Sequence, residues 1–382
     1  MDLFNPKYPE DKLHPYFIRL ISEEAYEPVK STIQNWAMGM DGRKGEKEKF
    51  IKEFQTTFNS SLWELYLNKA FKDIGFKIDY SQETPDFCLV SNTGQVVNVE
   101  AVTTNNQKNR DKSYYTSDVF KQSTSQSDQE FIDESTIKLL GKIRDKRDLF
   151  VGTNGKKKPY SSIKKVKDNP FVIAVAPFDN HLSYSQNNIA INRVLYGVER
   201  PEQDHQGEFY SKKITHVKNK NGAKLELGIF TNDSYKEISA VIFSTTGSFG
   251  KAVVQSKLDS TVRATKYRQY SIKKFLSNKR KNKLGLSTHK LSKTHTIESM
   301  RLQVGNVVAG PDMHICHVSE WHESHVDGLH IYYNPYAEIK LSSSLFNSFQ
   351  ITQNNYDINN DCPVQNHPDG SLVSRQIFTS NE

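Results

Sequence analysis

The chain has 382 residues, 36% hydrophobic and 25% charged, with a net charge of +7 at neutral pH. That length suits one large domain, or a domain with an appendage, and is enough to bury a sizeable core. No stretch approaches the roughly 18 consecutive apolar residues of a membrane-spanning helix, and the opening Met1-Asp2-Leu3-Phe4-Asn5-Pro6 lacks the basic and apolar regions of a secretion signal. Three cysteines (Cys88, Cys316, Cys362), an odd number without CxxC pairs, argue against a disulfide framework and for a reducing, cytoplasmic setting.

Residues 1–58 read as a helical brace. Over residues 15–36 the apolar positions Phe17, Leu20, Ile21, Ala25, Val29, Ile33 and Trp36 keep helical spacing, and Pro28 is expected to bend or divide the run. A turn at 41–45 leads into a charged helix or lead-in at 46–58. Asn59-Ser60-Ser61 then offers N-caps for a helix over 62–74, stopped by Gly75. At about 100° per residue, Trp63, Tyr66, Leu67, Ala70, Phe71 and Ile74 form one apolar arc, with Glu64 at its margin. From there the Glu64 carboxylate can reach over a sheet edge into a site. Ser61-Leu62-Trp63-Glu64 also matches a capping box, in which Glu64 would only satisfy a backbone N–H.

Residues 76–80 read as a first strand, 85–90 as a second, 91–95 as a turn and 96–102 as a third. A turn symmetric about Thr93 pairs Val90 with Val96 and sets Asp86 opposite Glu100. Directly opposed residues on an antiparallel pair have Cβ atoms roughly 5 Å apart, and like charges there destabilise. Two carboxylates so held need a proton or a cation, and a divalent metal meets that need. Along the third strand Asn98, Glu100 and Val102 share one face, and Val97, Val99 and Ala101 the other.

A helix Glu, then Pro85-Asp86, then Glu100 on a strand resembles the PD-(D/E)xK nuclease superfamily, the restriction-endonuclease-like fold. The similarity covers residues 59–150, and the later strands by pattern only. The resemblance implies that Asp86 and Glu100 ligate Mg²⁺ (or Mn²⁺), with Glu64 as an auxiliary ligand or a base that positions water. The family carries a lysine two residues after the strand acid, where this chain has Val102. That lysine orients or deprotonates the attacking water. Either it has migrated, as happens in the superfamily, or the site is degenerate and only binds. The helix over 130–150, with Ile137, Leu140 and Ile143 on its core face, offers Lys142 first and Lys138 second; both also fit ordinary surface lysines.

The connection 103–129 is long and polar, and its Lys108, Arg110 and Lys112 either touch a phosphate backbone or are simply solvated. Continuous apolar runs at 170–176, 237–244 and 329–333 suit interior strands that extend the hairpin into a mixed sheet. Thr245-Thr246-Gly247-Ser248-Phe249-Gly250-Lys251 imitates a phosphate loop, but Thr245 replaces the first glycine and Ala252 stands where Ser or Thr would hold Mg²⁺. His314, Cys316, His317, His322, His325 and His330 include an H-x4-H spacing, without a second pair to complete four zinc ligands. Residues 251–295 hold thirteen Lys and Arg against one acid, Asp259, so this window carries +12 and the remainder −5. With Tyr267, Tyr270 and Phe275 interleaved, it suits phosphate neutralisation and base stacking, or a solvated face. Residues 347–382, rich in Asn, Gln, Ser and Asp, read as a loosely attached polar tail.

These readings give an α/β fold: a mixed central sheet flanked by helices, with a restriction-endonuclease-like core over 59–346, an N-terminal helical extension and a basic insertion. They give a Mg²⁺- or Mn²⁺-dependent nuclease with DNA as its first expected substrate and RNA left open, with Glu64, Asp86, Glu100 and Lys142 at its site and, by analogy of fold alone, a role in defence or restriction. The alternative is a nucleic-acid-binding module whose nuclease site has decayed. A third reading is a scaffold whose basic segment meets an acidic protein. The sequence leaves a homo-oligomer open.

Overall fold

The structure, a computed structural model, describes residues 1–42, 45–104, 128–153, 155, 158–178, 182–203, 205, 209–277, 294–298, 302–348 and 350–379. Pro28 divides the first helical run as expected. Pro15–Ser22 (α1) and Glu27–Trp36 (α2) are separate helices, and Pro28 occupies the first turn of α2, where its missing N–H needs no partner. Lys47–Thr56 (α3) leads into the long helix Asn59–Ile74 (α4), which Gly75 ends in the left-handed conformation. The residue before α4 is Phe58, at φ +53°, and no side chain caps the helix. Ser61 lies buried inside the first turn, so the Ser61–Glu64 capping box does not form.

Lys77–Asp79 (β1), Phe87–Val90 (β2) and Val96–Thr103 (β3) make an antiparallel meander. Asp128–Val151 (α5) and the short Lys164–Lys167 (α6) cross over to Phe171–Ala176 (β4), which lies parallel to β3. After Ile189–Tyr196 (α7) come two small ribbons, Val198–Gln203 (β5) with Phe209–Lys213 (β6), and His216–Lys218 (β7) with Lys224–Glu226 (β8). Ala240–Phe243 (β9) runs parallel to β4 and leads into Phe249–Ser256 (α8). Ser260–Ser271 (β10), Thr294–Glu298 (β11), Leu302–Val304 (β12) and Val307–His317 (β13) follow, then His330–Tyr333 (β14), Thr352–Asp357 (β15), Cys362–Asn366 (β16) and Leu372–Thr379 (β17).

The central sheet is mixed, in the order β1-β2-β3-β4-β9-β14-β15-β16. The three continuous apolar runs of the sequence form its adjacent interior strands β4, β9 and β14, all buried throughout. One face packs against α1 to α4 and α8 through Phe17, Trp63, Phe71, Val99, Val172 and Ala252. The other packs against α5 and α7 through Leu139, Ile143, Ile173, Val194 and Val241. An α/β fold with a mixed sheet between helical layers is therefore what forms. Among the described residues no helix is long and apolar enough to cross a membrane.

The expectation of a loose tail from 347 is overturned. β15 and β16 extend the central sheet, and β17 pairs with β10 in a second sheet ordered β11-β13-β10-β17, with β12 on β13. Polar composition misleads here because the side chains bond backbone: fully buried Asn354 donates to the Ile331 carbonyl at 3.0 Å.

The basic window also divides. Lys251 is fully buried, 2.8 Å from Glu323 and bonded to the carbonyls of Ser324 (3.1 Å) and Asp327 (2.8 Å). Arg375 reaches the same Glu323 oxygen at 2.8 Å, tying β17 to α8. Lys257 donates to the carbonyls of Val318 and Trp321, and Lys266 donates to the His322 carbonyl and lies 4.4 Å over the Trp321 ring. Residues 278–293 of the window, and Lys108, Arg110 and Lys112, lie outside the described residues.

The phosphate-loop look-alike does sit between a strand and a helix, β9 and α8, but its lysine is turned inward to Glu323. Its Gly247 serves packing, since a Cβ there would meet Trp63 and Tyr66 at 2.8 Å. Gly247→Ala should therefore cost about 1–3 kcal/mol, read as a lower urea midpoint at unchanged slope. The histidines do not gather either. His317 bonds Ser319 and Asp259, while His325 is buried between Trp36 and Tyr66 and donates to the Tyr66 carbonyl at 3.0 Å.

Candidate active site

The β2–β3 turn closes in the expected register. Val90 pairs with Val96, Leu89 with Val97, Cys88 with Asn98 and Phe87 with Val99. Carried one residue further, that register sets Asp86 opposite Glu100. The two acids are tied by crossed bonds: the Ala101 N–H donates to Asp86 Oδ2 at 2.8 Å, and the Asp86 N–H donates to the Glu100 carboxylate. The alternation along β3 also holds. Val97, Val99 and Ala101 face the α4 side, and Glu100 faces α5.

On that face Lys146 Nζ sits 2.6 Å from Glu100 Oε1, and the Tyr160 hydroxyl donates to the same oxygen at 3.4 Å. The lysine that reaches the acids is thus Lys146, one helical turn beyond Lys142. The reason is phase. At about 100° per residue, position 146 falls about 20° from Leu139, between it and the buried Ser135, whereas position 142 falls about 60° from Leu139, toward the edge of the buried face. A lysine in phase with a buried stripe was the sequence signal for this role. Tyr160, on a short 3-10 turn sixty residues from Glu100, has no such local signal.

Glu64 lies on α4, within electrostatic range of Lys146. Among the described residues no three His, Cys, Asp or Glu side chains gather closely enough to hold one ion, so Glu64 does not complete a three-carboxylate ligand set. It is half-buried on α4, and its charge acts on the ammonium groups of Lys146 and Lys49.

Electrostatics give the site its chemistry. Burial, and after it the charge of Asp86, push Glu100 up to about 7, with Lys146 pulling the other way. A 2.6 Å contact to an ammonium favours the carboxylate, yet burial and the second acid outweigh it. Counting Asp86, Glu100 and Lys146, the pocket is one positive charge short. Burial alone would lower Lys146, but the charges of Glu100, Asp86 and Glu64 hold it above the ordinary lysine value. Burial, with the two acids, pushes the Tyr160 hydroxyl upward, which keeps it a donor.

Glu100 itself is only 4% exposed, while Asp86 and Lys146 are partly open, so access among the described residues is from their side. The donor set fits a small hard cation: Mg²⁺ is held by one or two carboxylates, with water and substrate phosphate oxygens filling its octahedron. No family model, curated protein or solved structure matches the chain.

Proposed function

We propose that the protein is a metal-dependent phosphodiesterase acting on DNA, built on a restriction-endonuclease-like core. The observation that carries this reading is Lys146 Nζ on Glu100, beside Asp86 across the β2–β3 register. The helix–strand–hairpin order behind the PD-(D/E)xK resemblance is present as α4, β1, β2 and β3, and Lys146 supplies from α5 the ammonium that Val102 lacks. Asp86 and Glu100 would hold Mg²⁺ or Mn²⁺, which when bound lowers the pKa of a water and neutralises charge on the scissile phosphate. Tyr160 fixes the Glu100 carboxyl through Oε1. Lys146, beside the acids, is placed to orient the attacking water and to offset negative charge that grows on the phosphoryl oxygens. Outward cations of the basic window add attraction for a polyanion that reads no sequence.

The test is a titration of Mg²⁺ and Mn²⁺ against cleavage of supercoiled DNA, with RNA run in parallel. Cleavage should saturate with metal and vanish with chelator. DNA binding without cleavage under either metal selects the decayed binding module instead, for which Val102 is the motivating residue.

A further inference from the structure

We infer that the end of the second sheet formed by β10, β12 and β13 is a docking arm for the phosphate backbone of duplex DNA. The inference rests on the nuclease reading and deepens it, by naming which part of the basic window meets substrate.

β10 and β13 pair from Thr261–His317 to Ser271–Val307, but β17 pairs with β10 only as far as Lys266. Five more residues of β10 therefore continue beyond the last β17 pair, about 17 Å of strand. The segment after β10 is fastened to the β12–β13 turn by the Ile272 N–H on the Asn306 carbonyl at 3.0 Å.

Residues 260–277 contain Arg263, Lys266, Arg268, Lys273 and Lys274 and no acid; residues 302–311 contain no acid either. The next acid, Asp312, is buried and accepts from the Tyr270 hydroxyl at 2.8 Å, and Asp369 alongside accepts the Gln269 N–H at 2.8 Å. Lys266 is turned inward, which leaves Arg263, Lys273 and Lys274 exposed. Beside the two lysines, Leu276, Leu302 and Val307 are 49%, 38% and 41% exposed. The result is a short apolar patch with a basic rim, and among the described residues the exposed acid alongside it, Asp369, is engaged by the Gln269 N–H.

Such a surface attracts polyanions, and two kinds compete: duplex DNA and an anionic lipid surface. Three partly exposed aliphatic side chains make a weak membrane anchor, because interfacial binding scales with buried apolar area. Position favours DNA. β3, β4 and β9 are parallel, so their C-terminal ends lie together; Glu100 lies in the C-terminal half of β3, and Tyr267 of β10 packs on His367, which packs on His330, the partner of Phe243 at the C-terminal end of β9. Arm and acids thus lie toward one end of the central sheet.

The experiment measures anisotropy of a fluorescein-labelled duplex with K273E/K274E and K273Q/K274Q, each in chelator so that nothing is cut. Both lysines are exposed, so thermal melting serves as the control for folding. Charge reversal should weaken binding about tenfold or more at moderate salt, and the neutral pair should lower the slope of log K against log salt by about 2. With metal present, KM should rise at unchanged kcat. Equal affinity and slope in all three proteins, or no duplex binding by the unmutated protein, overturns the arm. So does binding to phosphatidylserine vesicles that the substitutions abolish while duplex affinity stays put. If the duplex is bound through Lys273 and Lys274 but never cut, the nuclease reading fails and the arm stands; if cutting occurs with KM and slope unmoved by the substitutions, the arm fails and the nuclease stands.

Discussion

Asp86→Ala and Lys146→Met should each lower metal-dependent DNA cleavage by about 10²–10³-fold or more, while Lys142→Ala leaves it within a factor of about two. Asp86 is half of a two-carboxylate set, and a small divalent ion held by one protein oxygen donor group is held weakly. Lys146 acts differently: its ammonium is 2.6 Å from Glu100 and pairs with it directly. Methionine keeps its length and volume and removes only the charge, so lost cleavage would report electrostatics rather than packing. Lys146→Arg should restore part of the rate, since it keeps the charge but not the compact donor geometry. Lys142 serves as the internal control, one turn away on the same helix. Duplex binding in chelator should be unchanged in all four proteins. A Lys142 variant as impaired as the Lys146 one, or a Lys146 variant that still cuts at full rate, would remove Lys146 from the chemistry.

The register of the hairpin was legible because it depends on local quantities, a symmetric turn and period-two alternation, and both survive any tertiary context. The interior strands were legible for a similar reason: runs such as residues 171–176 have few alternatives to being covered on both faces. What escaped was set by partners distant in sequence. Lys146 escapes a reading in which the core face of α5 ends at Ile143, because a charged residue in phase with a buried face looks like its solvated boundary. Tyr160 meets Glu100 only after a crossover, and nothing near it announces the meeting. Residues 352–379 mislead because composition cannot distinguish a solvated Asn from one, like Asn354, whose buried amide donates to the carbonyl of a neighbouring strand. Lys251 falls inside the basic window by charge alone, although Glu323, which holds it and Arg375 together, lies 72 positions further along the chain.

Glu100→Gln should melt higher than the unmutated protein at pH 8 and should not cut DNA. The folded-state pKa of about 7 lies above the ordinary value of 4.5. A carboxyl raised in this way stabilises the fold fully below about pH 4.5, and that contribution is lost as pH rises through about 7. At pH 8 the ionised Glu100 is therefore a burden on the metal-free fold, by about 3 kcal/mol at most. Glutamine keeps an acceptor oxygen for Lys146 and Tyr160 and removes the charge, leaving Lys146 the charges of Asp86 and Glu64. The expected gain is several degrees in melting temperature at pH 8 and almost none at pH 4, where the native carboxyl already carries a proton. Mg²⁺ should reverse the order, raising the melting temperature of the unmutated protein more as pH increases through about 7 and leaving Glu100→Gln nearly unmoved. A side chain that weakens the metal-free fold and strengthens it once a cation binds is the signature of a site kept for chemistry rather than for stability. Were Glu100→Gln to melt lower at pH 8, with no response to metal in either protein, Glu100 would be an ordinary ion-pair partner of Lys146, and the cation-binding reading of this pocket would not stand.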